Sequence, residues 1–272
     1  MTDSDFAQIG VAGDWHVNKG FAKVALNTFA EVGIRHILHV GDFGFWPGNN
    51  GQKYLHQVNK TLRENNQTLY VTLGNHEDYV QVSRFNPHPT MPGFVYNQNY
   101  PHILVATRGA RWEWEGMSFV SLGGANSIDF IGRTEWIDWW RAEQISLADV
   151  YRTVEGGHAD VMVTHDCPAG VNIWADQPKH NIWSPTELRY ANESRTVLRQ
   201  AVDGVKPDVL FHGHYHFFVD QTTQLNDGVD DYTIRTIGLD MDGSQENMGV
   251  LFLPSKTFEQ LPVTWNPSNY TA

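Results

Sequence analysis

Apolar and polar positions alternate in blocks along the first 77 residues, and each apolar run stops at a short polar cluster. Gln8-Ile9-Gly10-Val11-Ala12 has the character of a short buried strand and ends at Gly13-Asp14-Trp15-His16. Apolar residues then recur at helical spacing through Phe21, Val24, Ala25, Leu26, Phe29 and Val32, and Gly33 supplies a helix stop. The pattern predicts a second strand over 34–40 ending at Gly41-Asp42 and a second helix over 52–64. A third strand over 68–73 ends at Gly74-Asn75-His76-Glu77. This strand–helix alternation predicts parallel strands joined by crossovers, so that their polar ends share one sheet edge.

The middle of the chain is less regular. Asn86-Pro87-His88-Pro89 and Met91-Pro92-Gly93 mark a loop suited either to an active-site wall or lid or, as is commoner for this composition, to an inert surface connection. Strands are expected over 102–106, 110–115 and 117–122, the last two forming a hairpin at Glu115-Gly116. Gly123-Gly124-Ala125-Asn126-Ser127 follows, and Ser146 is placed to cap a helix running to Val154. A strand over 160–163 ends at Thr164-His165-Asp166, and a loop with Pro168, Pro178 and Pro185 leads into a helix over 186–202. The strand over 208–211 ends at His212-Gly213-His214-Tyr215-His216, and the remainder alternates like a β-meander over 231–238, 249–253 and 258–265. No repeat, low-complexity segment or linker divides the chain, which predicts a single α/β domain over residues 1–272.

Composition narrows the function classes. The 31 acidic residues outnumber the 19 basic ones, giving −12, and no Lys/Arg-rich block occurs. Stable binding to nucleic acid or to an anionic membrane through a general basic surface is therefore disfavoured. Cys167 is the single cysteine and forms no internal disulfide. Residues 1–12 lack a basic start and apolar core, and no apolar run approaches the roughly 20 residues that span a bilayer. A soluble, cytoplasmic protein is expected.

Five strand ends together carry Asp14, His16, Asp42, Asn75, His165, His214 and His216, with His76 beside Asn75. In one cleft these nitrogen and oxygen donors suit two divalent transition metals, with one aspartate between them. Residues two apart in an extended segment point the same way, so Asp14 with His16, and His214 with His216, can each reach inward from one strand end.

The ordered series Asp14-x-His16, Gly41-Asp42, Gly74-Asn75-His76-Glu77, Thr164-His165 and Gly213-His214-x-His216 resembles the calcineurin-like metallophosphoesterases over residues 9–218. The resemblance implies a four-layer α-β-β-α sandwich of two mixed sheets flanked by helices. It implies that Asp14, His16, Asp42 and His216 hold one metal, that Asp42 bridges, and that Asn75, His165 and His214 complete the second. The ions would be manganese, zinc, iron or nickel. A metal-bridging hydroxide would attack a phosphodiester or small nucleotide-type phosphoester in line, with His76 as general acid. The same residues also suit a metal-dependent nuclease or a non-catalytic metal-bound interaction module. Phe45 stands where many relatives carry the acidic residue that orients the catalytic histidine, which leaves Asp78 or a backbone carbonyl for His76. Phe45 and Trp46 also depart from the purple acid phosphatase and protein phosphatase patterns.

Four further residues are candidates for substrate contact. Trp15 and Trp46 adjoin the ligand motifs and form either an apolar wall for a nucleobase or aryl group, or core packing. Arg133 and Asn126 lie in the segment after 117–122, where Arg133 either meets a phosphate or forms a surface ion pair. Glu77 and Asp166 are expected to support neighbouring ligands, Cys167 to be a buried thiol, and Asp240 and Asp242 to be turn residues.

Overall fold

Strand β1 (Gln8–Ala12) leads into α1 (Lys19–Glu31), and β2 (His36–His39) into α2 (Gly48–Glu64), before β3 (Thr68–Thr72) closes the first βαβαβ run. The computed structural model describes residues 6–173 and 183–266, so Pro178 of the expected loop lies outside the described residues. Asn18 caps α1 by accepting a hydrogen bond from the Phe21 N–H, and Phe21, Ala22, Ala25, Leu26 and Phe29 form its buried face. As the alternation predicts, β1 pairs parallel with β2 and β2 parallel with β3. Helix α2 starts four residues before the expected Gln52, because the polar turn Gly48-Asn49-Asn50-Gly51 carries no apolar spacing.

A short helix α3 (Tyr79–Val82) and two short strands, β4 (Asn86–Pro87) and β5 (Phe94–Tyr96), precede β6 (Ile103–Ala106). The hairpin of β7 (Arg111–Trp114) and β8 (Met117–Leu122) turns at Glu115 and Gly116, both at positive φ, which matches the right-handed strand twist. Helix α4 (Leu147–Val154) has the expected Ser146 cap, completed as a capping box by Asp149. Strand β9 (Val161–Thr164), helix α5 (Pro185–Val205) and strand β10 (Val209–His212) follow.

The closing strands depart from a simple meander. Strand β11 (Val219–Asn226) was not legible because its sequence VDQTTQLN is mostly polar, as suits a strand at the edge of a sheet. It pairs antiparallel with β12 (Asp231–Gly238), which lies parallel to β10. The next two strands, β13 (Met248–Phe252) and β14 (Thr257–Gln260), cross back to the first sheet, where β13 pairs antiparallel with β1. The last strand also stops at Gln260, short of the expected residue 265.

Among the described residues the strands form sheets of eight and six, ordered β14-β13-β1-β2-β3-β6-β5-β4 and β11-β12-β10-β9-β8-β7. One apolar cluster joins the sheets face to face through Val11, Leu38, Tyr70, Phe119, Val163 and Phe211. A second packs α1 and α2 on the first sheet, and a third packs α4 and α5 on the other. Three cores between four layers make the expected α-β-β-α sandwich of two mixed sheets.

Candidate metal centre

The ends of β1, β2, β3, β9 and β10 bring the predicted residues together. His16, Asp42, His214 and His216 all have positive φ, at 43°, 48°, 72° and 58°. The expected inward reach from an extended segment is therefore corrected: left-handed turns aim these side chains, not the two-residue period of a strand. Such conformations cost of order 1–3 kcal/mol each and persist where their surroundings hold them. Here the Asp42 carbonyl accepts from the Trp15 and His16 N–H groups at 3.0 and 2.9 Å. Buried Glu77 accepts from the N–H groups of Phe43 (2.7 Å), Gly44 (3.2 Å) and Phe45 (2.7 Å), holding the loop after Asp42. Burial, with Asp42 nearby, pushes the Glu77 pKa up to about 7.

Two groups of donors result. Ligand atoms of Asp14, His16, Asp42 and His216 lie within 4.8 Å of one another, as do those of Asp42, His165 and His214. Asp42 belongs to both. Its Oδ2 is 3.5 Å from His16 Nε2 and its Oδ1 is 3.4 Å from His165 Nε2, while Asp14 Oδ2 is 3.3 Å from His216 Nε2.

The donor chemistry fits cations. Asp14 Oδ1 is buried with no hydrogen-bond partner, a costly state for a carboxylate oxygen unless an ion satisfies it. His165 Nδ1 donates to the Val40 carbonyl at 2.9 Å, so Nε2 is directed at Asn75 Oδ1 (2.9 Å) and at Asp42. The neutral ring would set a nitrogen lone pair against two oxygens, which a proton or a metal relieves. Burial opposes charge on His165, yet the Asp42 and Asp14 carboxylates raise its pKa to about 9. Burial likewise opposes charge on His16, and Asp242 and Asp42 overcome it to about 11. The same carboxylates that favour a proton on these rings would favour a cation between them. Burial lowers His214 to about 4, leaving a neutral imidazole lone pair. Space is also reserved for the ligands: a Cβ at Gly213 would fall 2.1 Å from Asp14 Oδ1, and one at Gly74 2.1 Å from Asp42 Oδ1.

A third cluster, His158, Asp160 and Asp208, has a different occupant. Lys256 Nζ donates to Asp160 at 2.9 Å and also pairs with Asp208.

Several supporting residues had little or no sequence signal. Asp242, expected only as a turn residue, accepts from His16 Nδ1 at 3.0 Å and from Asn18 Nδ2 at 2.6 Å. It fixes the ring so that Nε2 faces Asp42. Asn247 ties the last crossing to the site, donating to the Asp14 and Asp240 carbonyls. Asn75 Nδ2 donates to Ser127 Oγ at 2.9 Å, and Ser127 Oγ donates to fully buried Glu143 at 2.6 Å, which sets the amide so that Oδ1 faces the cluster. Glu143 lies 68 residues beyond Asn75 by sequence number, with no local pattern announcing it. Asp166 accepts from the Tyr215 hydroxyl and the Cys167 N–H, while burial pushes the Cys167 thiol up in pKa and leaves it unreactive. Replacing Asp242 with Ala should weaken metal affinity about 10- to 100-fold, measured by titration of the metal-stripped protein. Unchanged affinity would remove Asp242 from this role.

The candidate substrate residues separate clearly. Trp15 is fully buried and its indole N–H donates to Asn247 Oδ1 at 3.0 Å, so it is core and not a cleft wall. Asn126 is also buried, donating to the Tyr190 carbonyl on α5, and does not line the cleft. Arg133 does line it, with Trp46 in an adjoining compartment. Asp129 grips Arg133 through Nε (2.7 Å) and Nη2 (2.8 Å). The guanidinium faces the His76 ring, with Nη1 3.0 Å from Nδ1 and Nη2 2.9 Å from Nε2. Asp78 instead accepts from the Gln81 N–H at the start of α3, and Phe45 is packed against Phe43 and Phe85. The Asp129–Arg133 pair therefore stands against His76 in place of an acidic partner. Burial lowers the His76 pKa, and Arg133 adds to that against the pull of Asp42.

The cleft beside the ligands has a volume of about 490 Å³. Among the described residues, no helix is long and apolar enough to cross a membrane.

Residues 7–218 match the family model of calcineurin-like phosphoesterases. No curated protein matches the sequence. Among solved structures, the chain is similar to TT1561 of Thermus thermophilus at TM-score 0.54 and 10% identity, covering 93% of this chain and 97% of that one. Another crystal structure aligns at TM-score 0.57 and 13% identity, covering 95% and 99%. An archaeal phosphodiesterase aligns at TM-score 0.43 and 12% identity, covering 93% and 97%. At these identities the structural likeness concerns the fold. The family match spans all five strand ends that carry the two donor groups, and the chain belongs to the calcineurin-like phosphoesterase family.

Proposed function

We propose that this protein is a phosphoesterase using two divalent metal ions to hydrolyse a phosphodiester or a small nucleotide-type phosphoester. The observation that carries the reading is the sharing of Asp42 between two donor groups. Asp14, His16, Asp42 and His216 would hold one ion, and Asp42, Asn75, His165 and His214 the other. When bound, such a pair supplies Lewis acidity and lowers the pKa of a water toward ~7.

The chain's own residues then set the geometry of the reaction. Asp242, Ser127 and Glu143 orient His16 and Asn75, so the donors need little rearrangement on binding. His76 is outside both donor groups and part-exposed, with Nε2 3.9 Å from Asp42 Oδ2, a position suited to protonating a leaving oxygen. Arg133 is held by Asp129 at the same wall, where its guanidinium places a positive charge beside a bound phosphoryl group. The net charge of −12 favours a small substrate over a stably bound nucleic acid.

Reconstitution with Mn²⁺ or Zn²⁺, followed by metal analysis and a kinetic screen of cyclic nucleotides, dinucleotides, nucleoside phosphates and lipid-linked phosphoesters, tests the reading. Two bound ions with turnover of at least one ester are expected. Retention of fewer than two ions, or inertness toward every ester, would overturn it.

A further inference from the structure

Beyond His76 the cleft continues into a second compartment of about 590 Å³. His76, Asp129 and Arg133 line both parts, while Asp42, Asn75, His214 and His216 line only the first. On the phosphoesterase reading, on which this inference rests, that division has a direct chemical meaning. A proton donor must lie within hydrogen-bond reach of the oxygen that departs. The phosphorus therefore sits on the ligand side of His76, and whatever the departing oxygen carries extends past it.

The far compartment is built differently from the first. Its surfaces include Trp46, Pro47, Ile137 and buried Trp140, contributed by the loop after β2 and the segment after β8. Both segments are held in place. Trp46 is anchored against the first turns of α2, where a Cβ at Gly51 would fall 1.9 Å from the Trp46 carbonyl oxygen. The 134–140 turn is closed by the bond from Thr134 N–H to Asp138 Oδ1 (2.6 Å) and that from Trp136 N–H to the Trp139 carbonyl (2.9 Å). Arg133 Nη1 also donates to the Asp138 carbonyl at 3.2 Å, linking this turn to the residue that faces His76. Trp140 is almost wholly buried behind this wall, so the partly exposed indole of Trp46 is the aromatic surface a planar ring can stack on, a contact an alkyl chain makes less well.

We propose that this compartment is the leaving-group subsite and that it takes a planar aromatic group, from either a nucleoside or a simple aryl alcohol. Trp46 is its principal stacking surface. A rigid pocket of this kind selects the leaving group through its ring, whereas the metal side recognises only the phosphoryl group.

Methylphosphonate esters test this cleanly because each carries one charge and one leaving alcohol. The series comprises the methyl, cyclohexylmethyl, 2-naphthylmethyl and adenosine 5′-esters. The wild type should prefer the two planar esters over cyclohexylmethyl in kcat/KM, mainly through KM. Trp46→Ala should lower the ratio of naphthylmethyl to methyl kcat/KM about 10-fold or more, and Trp46→Phe should restore most of it. The adenosine ester tells a nucleobase from a simple arene, and preference for either over cyclohexylmethyl supports the subsite. An unchanged ratio in Trp46→Ala, or equal use of cyclohexylmethyl and naphthylmethyl esters, would overturn it. If the metal-loaded protein hydrolyses none of the esters, the phosphoesterase reading has failed on this series. Calorimetric binding of the naphthylmethyl ester then decides the subsite separately: it is upheld if Trp46→Ala loses about 10-fold in affinity and rejected if affinity is unchanged.

Discussion

Asp42→Ala should lose both metal ions from stable occupancy and reduce kcat/KM by about 10³-fold or more. Lewis-acid stabilisation by bound metals is worth several kcal/mol, and each ~1.4 kcal/mol is tenfold in rate. The reason for choosing Asp42 over any other ligand is geometric. It is the residue common to the two donor groups, and it is fully surrounded, with 1% of its surface exposed. Burial alone would raise its pKa, but His165 and His76 outweigh that and hold it well below the usual carboxylate range. It therefore presents charge to both sites at neutral pH. Asp42→Asn is the companion variant, because an amide oxygen can still accept the His76 N–H that Oδ1 accepts at 2.9 Å. It removes the charge while sparing the loop. Metal analysis after dialysis and steady-state kinetics are the measurements, and retention of two ions with near-normal turnover would refute the shared-ligand assignment.

His76→Ala should slow turnover by roughly 10²–10⁴-fold while leaving metal content intact. Its link to the donor groups runs chiefly through the backbone: the His76 N–H donates to Asp42 Oδ1, and substitution of the side chain leaves that bond in place. Removal of the imidazole thus withdraws the proton donor without disturbing the ligand it supports. The loss should be largest for alkoxide leaving groups and small for a nitrophenolate, which departs without help. Loss of bound metal, or an equal penalty for good and poor leaving groups, would show that His76 has another role. The pair facing the ring gives a second handle on the same point, since Asp129 positions Arg133 and Arg133 contacts both ring nitrogens.

Much of the framework was legible because it is written in local pattern. The ranges of β1, β8 and β12 match their expected spans closely, and the Ser146 cap and the Glu115-Gly116 turn depend on only a few neighbouring residues. The edge strand β11 was not legible, because its polar alternation resembles a solvated loop until a partner strand is known. The destination of β13 was hidden for a related reason. An apolar strand of five residues fits either sheet, and only pairing with β1 decides between them.

The sequence by itself determined the order of the parallel units, the polar residues at five strand ends, and hence the identity of the candidate ligands. Those features depend on residues close along the chain, where hydrophobic period and turn chemistry act. Tertiary structure alone decided what surrounds them. It set Asp242 on His16 across 226 positions, and Glu143 behind Ser127 and Asn75. It also buried Trp15 in the core and left Trp46 on a compartment wall, although both tryptophans adjoin ligand motifs. A carboxylate or an indole carries no local mark of what it will face. Its partner comes from a distant segment, and its role is fixed only when packing brings the two together and excludes water between them.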